Sequence, residues 1–106
     1  MEIIFAKEYL KELHLTRKTK DKQHRFQPDI IKRYQKTIDR MAGAKEIKDL
    51  FCINSLRYEK LQGDRKGLSS VRISDKYRLE FEEISMEGEQ YASICNIIEL
   101  SNHYKG

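Results

Sequence analysis

The chain has 106 residues, 36% of them charged and 39% hydrophobic, with six Tyr, four Phe and no Trp. That length suits one domain, and those side chains are enough to close a core without metals or disulfides, which argues against a disordered or collagen-like chain. No apolar run approaches the roughly 20 residues of a membrane span, the start Met1-Glu2-Ile3-Ile4-Phe5-Ala6 lacks a signal-peptide apolar stretch, and a net charge of +4 is ordinary.

In chain order, Glu2-Ile3-Ile4-Phe5 reads as a short strand. Ala6, Tyr9, Leu10 and Leu13 recur at helical spacing and predict a short amphipathic helix. Thr16 to Gln27 is polar and basic, hence a loop. Pro28 suits a first helical position and Asp29 the positive end of the helix dipole. Ile31, Tyr34, Ile38 and Met41 then continue at steps of three, four and three, with Gly43 expected just past the helix end. Lys45 to Phe51 predicts a shorter helix presenting Ile47, Leu50 and Phe51.

After Cys52 the period changes to two. Leu56 and Tyr58 alternate with Arg57 and Glu59, and Gly63-Asp64-Arg65-Lys66-Gly67 interrupts as a turn. Ser69, Val71 and Ile73 share one face of the next strand; Tyr77, Leu79 and Phe81 share one face of the following one. A turn at Glu87-Gly88-Glu89 leads into Tyr91–Leu100, apolar almost throughout, as an interior strand is. The sum is α+β: helices packed on one face of a sheet whose later strands run antiparallel. No repeat, linker or composition break divides residues 1–106, so they read as a single domain. Cys52 and Cys95, far apart and in no CxxC, read as small core residues in a reducing cytosol.

Charge is blocked along the chain. From Arg57 to Arg78 there are seven basic residues against three acidic; from Leu79 to Leu100 there are none against six. Arg17, Lys18, Lys20, Lys22 and Arg25 form another basic stretch. Such blocks point to a face for a polyanion, or to nothing more than a solvated surface.

The hairpin across Ser74-Asp75-Lys76 carries a sharper argument. Burying Val71, Ile73, Tyr77 and Leu79 together pairs Ile73 with Tyr77 and Val71 with Leu79 across a three-residue loop. The same register sets Arg72 opposite Arg78 on the other face. Like charges directly opposite are destabilising, so the pair is expected either to converge on an anion or to be neutralised by a neighbour such as Glu80 or Glu59.

Other motifs say less. The Gly63–Gly67 turn lacks the P-loop pattern. No His, Cys, Asp or Glu cluster has metal-ligand spacing, so neither a metal nor a cofactor is expected. No Gly-x-Ser-x-Gly elbow is present. Tyr9 and Tyr34 read as core. His14 and His24 have no evident partners, whereas His103 after the last strand has the pKa range for proton transfer or is an exposed bystander.

Taken together, the turn Leu61-Gln62-Gly63-Asp64-Arg65-Lys66-Gly67, the strand Ser70-Val71-Arg72-Ile73, the strand start Asp75-Lys76-Tyr77-Arg78-Leu79 and the terminal Asn102-His103-Tyr104-Lys105 resemble the HigB-like toxins of the RelE/ParE superfamily. These are the toxin halves of bacterial type II toxin–antitoxin pairs. The resemblance implies a RelE-like fold, an antiparallel sheet of four to five strands with two to three helices on one face. It implies a cytoplasmic, metal-independent endoribonuclease that cuts mRNA on the ribosome by 2′-OH attack. It assigns Arg78 to the scissile phosphate, His103 to proton transfer, and Glu59 or Lys60 to the base. Arg65 and Lys66 match RNA- or ribosome-contacting positions, Tyr104 and Lys105 are expected to bind RNA or the ribosome beside them, and the register argument adds Arg72 as a second cation. Partners implied are a helix-turn-helix, HigA-like antitoxin and the 70S ribosome with its mRNA, with DNA reached only through the antitoxin and no membrane. Many relatives end Asp-Tyr-His where this chain reads Ser101-Asn102-His103-Tyr104. A ParE-like poison of DNA gyrase and a non-catalytic module that only binds its antitoxin are the alternatives.

Overall fold

A computed structural model describes residues 1–102. The order is β1 (Glu2–Phe5), α1 (Glu8–Thr16), α2 (Pro28–Gly43), α3 (Lys48–Phe51), β2 (Glu59–Lys60), β3 (Leu68–Arg72), β4 (Tyr77–Ile84) and β5 (Ile94–Asn102). Single 3-10 turns occupy Asn54–Leu56 and Gly63–Arg65.

The five strands form one sheet in the order β1-β5-β4-β3-β2. β2 to β5 pair antiparallel, as their alternation predicts, but β1 pairs parallel to β5, so the sheet is mixed. Parallel neighbours need a long crossover. Here the chain leaves β1 through the helices and returns to the sheet at its far edge, reaching β5 last.

Tyr9, Leu10 and Leu13 of α1 and Ile31, Tyr34, Ile38 and Met41 of α2 are buried in one cluster with Val71, Leu79, Phe81 and Ile97. These are the residues whose spacing marked helix stripes and strand faces. Tyr34 ties the helices together, its hydroxyl donating to the Leu10 carbonyl at 2.6 Å. Pro28 opens α2 at its first turn with Asp29 beside it.

Local departures have local causes. Gly43 is the last residue inside α2, and the chain exits through an extended Ala44, so no left-handed cap is used. The alternation of Leu56 and Tyr58 does not make a strand: Arg57 sits at φ 45° between a 3-10 turn and the two-residue β2. Left-handed backbone breaks the pleat while leaving Leu56 buried. The helix expected from Lys45 shrinks to Lys48–Phe51, burying Ile47 and Leu50 and leaving Phe51 46% exposed. β5 begins at Ile94 rather than Tyr91, because the Ala92 carbonyl accepts the Ile47 N–H at 2.8 Å. Cys95 is core as expected, but Cys52 is exposed just past α3. Gly63 and Gly67 adopt φ +66° and +100°, the conformations a tight turn needs from glycine. Among the described residues no helix is long and apolar enough to cross a membrane.

Candidate functional site

The hairpin register is the one that burial demands: Val71 pairs with Leu79, Arg72 with Arg78, and the Ile73 N–H donates to the Tyr77 carbonyl at 3.0 Å. Since alternate side chains point to opposite faces, burying Val71 and Leu79 sends Arg72 and Arg78 out on the other face of the sheet, with Arg72 at the strand's end still bordering α2. The two guanidiniums therefore leave the sheet from facing positions.

Arg78 is held firmly. Its Nε donates to Ser70 Oγ at 2.9 Å and its Nη2 to the Arg57 carbonyl at 2.7 Å. Glu59 Oε1 stands 3.5 Å from Nη2, and only 11% of the Arg78 side chain is exposed. Burial lowers the pKa of Arg78 from its ordinary value; Glu59 opposes this, while Arg57 and Arg72 add to it. Arg72 is anchored by Asp75 from the hairpin loop. Both outcomes foreseen for the pair thus coexist: each arginine has a carboxylate, Glu59 or Asp75, yet the cations still converge. Arg57, Arg72 and Arg78, with Asn54, Ser55, Ser74 and the Arg72 partner Asp75, line an open hollow of about 680 Å³. Three guanidiniums around one hollow suit a phosphate, which takes several charge-assisted hydrogen bonds at once.

The next row on this face is differently composed. Ser70, Glu80 and Glu99 lie side by side across β3, β4 and β5. Arg65 from the glycine-bounded turn pairs with Glu80, which is buried, and stands 3.5 Å from Glu99; Lys7 stands 3.6 Å from Glu99. The fold therefore interleaves the acidic block of β4 and β5 with basic residues from elsewhere. Separate blocks in sequence do not become separate faces in space.

The predicted site residues divide accordingly. Arg72, Arg78 and Glu59 come together. Arg65 is on the same face, engaged by two carboxylates. Lys60 pairs with Ser69 rather than Ser70, so β2 turns it away from Glu59. With Lys66 it lines a different hollow beside Glu83, where Glu83 accepts from the Tyr58 and Ser69 hydroxyls. His103, Tyr104 and Lys105 lie outside the described residues, which end with Ser101 paired to Arg78 and Asn102 to Tyr77. His14 and His24 do have partners: His14 Nε2 is 2.8 Å from Asp39, and His24 Nδ1 is 2.7 Å from Asp21 while its ring stacks on Tyr9 at 3.7 Å. Among the described residues no group of three or more His, Cys, Asp or Glu is placed to hold a metal.

Sequence reasoning missed Arg57, Ser70, Asn54 and Ser55. Ser70 was within reach, since the register that pairs Arg72 with Arg78 also puts Ser70 on the outer face. Arg57 carried no such signal: nothing local marks it as left-handed.

The model of a family described as "RelE-like toxin of type II toxin-antitoxin system HigB" matches residues 4–94. No curated protein matches the sequence. Among solved structures, a YoeB/ParE toxin from Agrobacterium tumefaciens is similar at 16% identity with a TM-score of 0.59, over 98% of this chain and 100% of that one. A mutant of YafQ from E. coli is similar at 13% identity with a TM-score of 0.57, over 96% of this chain and 92% of that one. At these identities the likeness is one of fold.

Proposed function

The chain belongs to the RelE-like HigB toxins of type II toxin–antitoxin systems, and from that premise we propose that it is an endoribonuclease that cuts mRNA on the ribosome without a metal. The observation that carries the reading is the meeting of Arg57, Arg72 and Arg78 around one hollow, with Arg72 and Arg78 opposed at a cost in sheet stability.

The scissile phosphate sits in that hollow. The ribose 2′-oxygen attacks phosphorus, the bond to the 5′-oxygen breaks, and the products are a 2′,3′-cyclic phosphate and a 5′-hydroxyl. Charge grows on the non-bridging oxygens in the transition state, where pre-oriented guanidiniums stabilise it most. Arg78 is the best oriented of the three, fixed by Ser70 and the Arg57 carbonyl. A base must take the 2′-OH proton and an acid must give one to the leaving oxygen. Glu59, half-exposed and 3.5 Å from Arg78, is the base rather than Lys60. His103, which follows Asn102 directly in sequence, is the acid. Tyr104 and Lys105 then contact RNA from the same terminal segment.

A toxin of this family works against an antitoxin. The proposed partner is a helix-turn-helix protein that carries the DNA contacts, and the proposed setting is the cytoplasm, where the ribosome supplies the mRNA. The test is incubation of mRNA with the purified protein, with and without programmed ribosomes. Cleavage is expected only with ribosomes and is expected to vanish with Arg78→Ala. Intact mRNA with ribosomes present, under conditions where the protein blocks gyrase supercoiling, overturns the reading.

A further inference from the structure

The arginine hollow does not end at Arg72. Arg72 and Ser55 also line a second, narrower groove of about 190 Å³ that continues between the loop before β2 and α2. Its helix wall carries Arg33, Lys36 and Arg40, at steps of three and four and so on one stripe of α2. The stripe runs about 10 Å along the axis at ~1.5 Å per residue.

These three side chains are exposed. Among the described residues, none of them has a carboxylate at ion-pair distance. Arg40 Nη1 donates to Ser55 Oγ at 3.2 Å, tying the helix stripe to the hollow's own wall. Of the carboxylates of α2, Asp39 is bonded to His14, and Asp29 lines the adjoining hollow that shares Arg33 and Arg72 with the groove. No acidic residue lines the groove. Its apolar floor, Leu56 and Ile73, is covered, at 3% and 4% exposure.

We infer that the groove is a track for the RNA strand itself, binding the phosphates of the nucleotides on one side of the phosphate held by Arg78. This rests on the nuclease reading for the identity of the strand. Leu56 and Ile73 are covered, so what the groove presents to a ligand is mainly the cationic side chains with the Ser55 and Thr37 hydroxyls, which suits a phosphate backbone better than an apolar protein segment. At the ~3.4 Å rise of a stacked strand, 10 Å of cationic wall spans about three nucleotides.

The test uses 2′-O-methyl RNA, which cannot be cut, in two lengths: about three nucleotides, and the same core extended by roughly five nucleotides on either side in turn. Binding is read by fluorescence anisotropy as a function of salt. One extended oligonucleotide is expected to bind more tightly than the core, with a steeper salt dependence. Three added contacts, at about 0.7 in slope each, make it lose roughly twentyfold more affinity than the core between 50 and 200 mM salt. The variant Arg33→Ala/Lys36→Ala/Arg40→Ala, at exposed positions, is expected to melt like the parent and to abolish that difference. Equal slopes for core and extended RNA overturn the track. So does a triple variant that keeps the difference, or that loses only affinity for an acidic peptide or for vacant ribosomes. Arg78→Ala separates the two readings: it removes cleavage but leaves the benefit of extension. A wild-type protein that never cuts, yet shows the α2-dependent benefit, sinks the nuclease and keeps the track.

Discussion

Arg78→Met separates what the protein needs for chemistry from what it needs to fold. Methionine keeps a long aliphatic stem and removes the guanidinium. On the folding side, the side chain gives up its bonds to Ser70 Oγ and the Arg57 carbonyl, and hydrogen bonds to a charged group are worth about 1.5–3 kcal/mol each. Against this stands the cost of keeping the charge, since Arg78 is desolvated and crowded by Arg57 and Arg72, and its pKa is lowered for those reasons despite Glu59. A lowered arginine pKa means that the fold disfavours the charged form relative to the unfolded chain. Removing the charge relieves that penalty, so the variant is expected to lose less stability than the two bonds alone would cost, less than about 3 kcal/mol. Chemistry has no such compensation. Losing one oriented donor to a developing oxyanion costs about 10²–10³ in rate, roughly 3–4 kcal/mol. The assay is thermal denaturation beside cleavage on programmed ribosomes. A folded variant at full activity refutes the assignment, and a loss of more than about 3 kcal/mol in stability makes Arg78 a structural residue instead.

Glu59→Gln is expected to slow cleavage by about 10²-fold while Lys60→Gln leaves it within about threefold, because the register turns only Glu59 toward Arg78; single-turnover rates on stalled ribosomes decide between them. Tyr34→Phe removes the hydroxyl that joins α2 to the Leu10 carbonyl, so unfolding in urea is expected to become easier by about 1–2 kcal/mol with no change in cleavage. Burial above all, with Glu83 adding to it, pushes the Cys95 thiol from 9.0 to about 12. The unfolded thiol ionises first, so stability from this group is complete below pH 9 and falls at up to about 1.4 kcal/mol per pH unit above it. Cys95→Ala is expected to flatten the slope of stability between pH 9 and 10, measured by urea titration at each pH; an unchanged slope rejects the burial argument.

Strand periodicity and helix stripes were legible because each had a buried face to enforce it. Val71, Leu79, Tyr34 and Ile38 occupy the positions that their spacing requires, and the Arg72–Arg78 pairing followed from them without further information. What escaped the sequence was decided by backbone turns and by distant partners. Leu56 and Tyr58 have the spacing of a strand, but Arg57 at φ 45° supplies it with a turn. That turn brings the Arg57 carbonyl to Arg78. β1 reads as a strand equally well in either direction, so its parallel pairing with β5 was settled only by the path through the helices. Cys52 was misread because small apolar residues next to a short helix have no stripe to assign them a face.

The two rows on the outer face explain why net charge was a poor guide. Arg65 is basic and lies near the hollow, yet Glu80 and Glu99 hold it, and Lys7 shares Glu99. Those pairs neutralise one row and keep its carboxylates from reaching across to the other. In the neighbouring row Arg72 and Arg78 oppose each other, and the carboxylates beside them among the described residues, Asp75 and Glu59, are both at least half exposed. An exposed carboxylate is screened and holds its partner weakly. An arriving phosphate can therefore displace or outbid Asp75 and Glu59, but not Glu80, which is buried beneath Arg65. Selectivity for the arginine row then comes from where the carboxylates are buried rather than from how many cations the chain carries. Glu80→Gln tests this directly: with its buried carboxylate neutralised, Arg65 keeps Glu99 at 3.5 Å as its partner and is expected to strengthen RNA binding at low salt without restoring cleavage to Arg78→Ala, while unchanged binding rejects the argument.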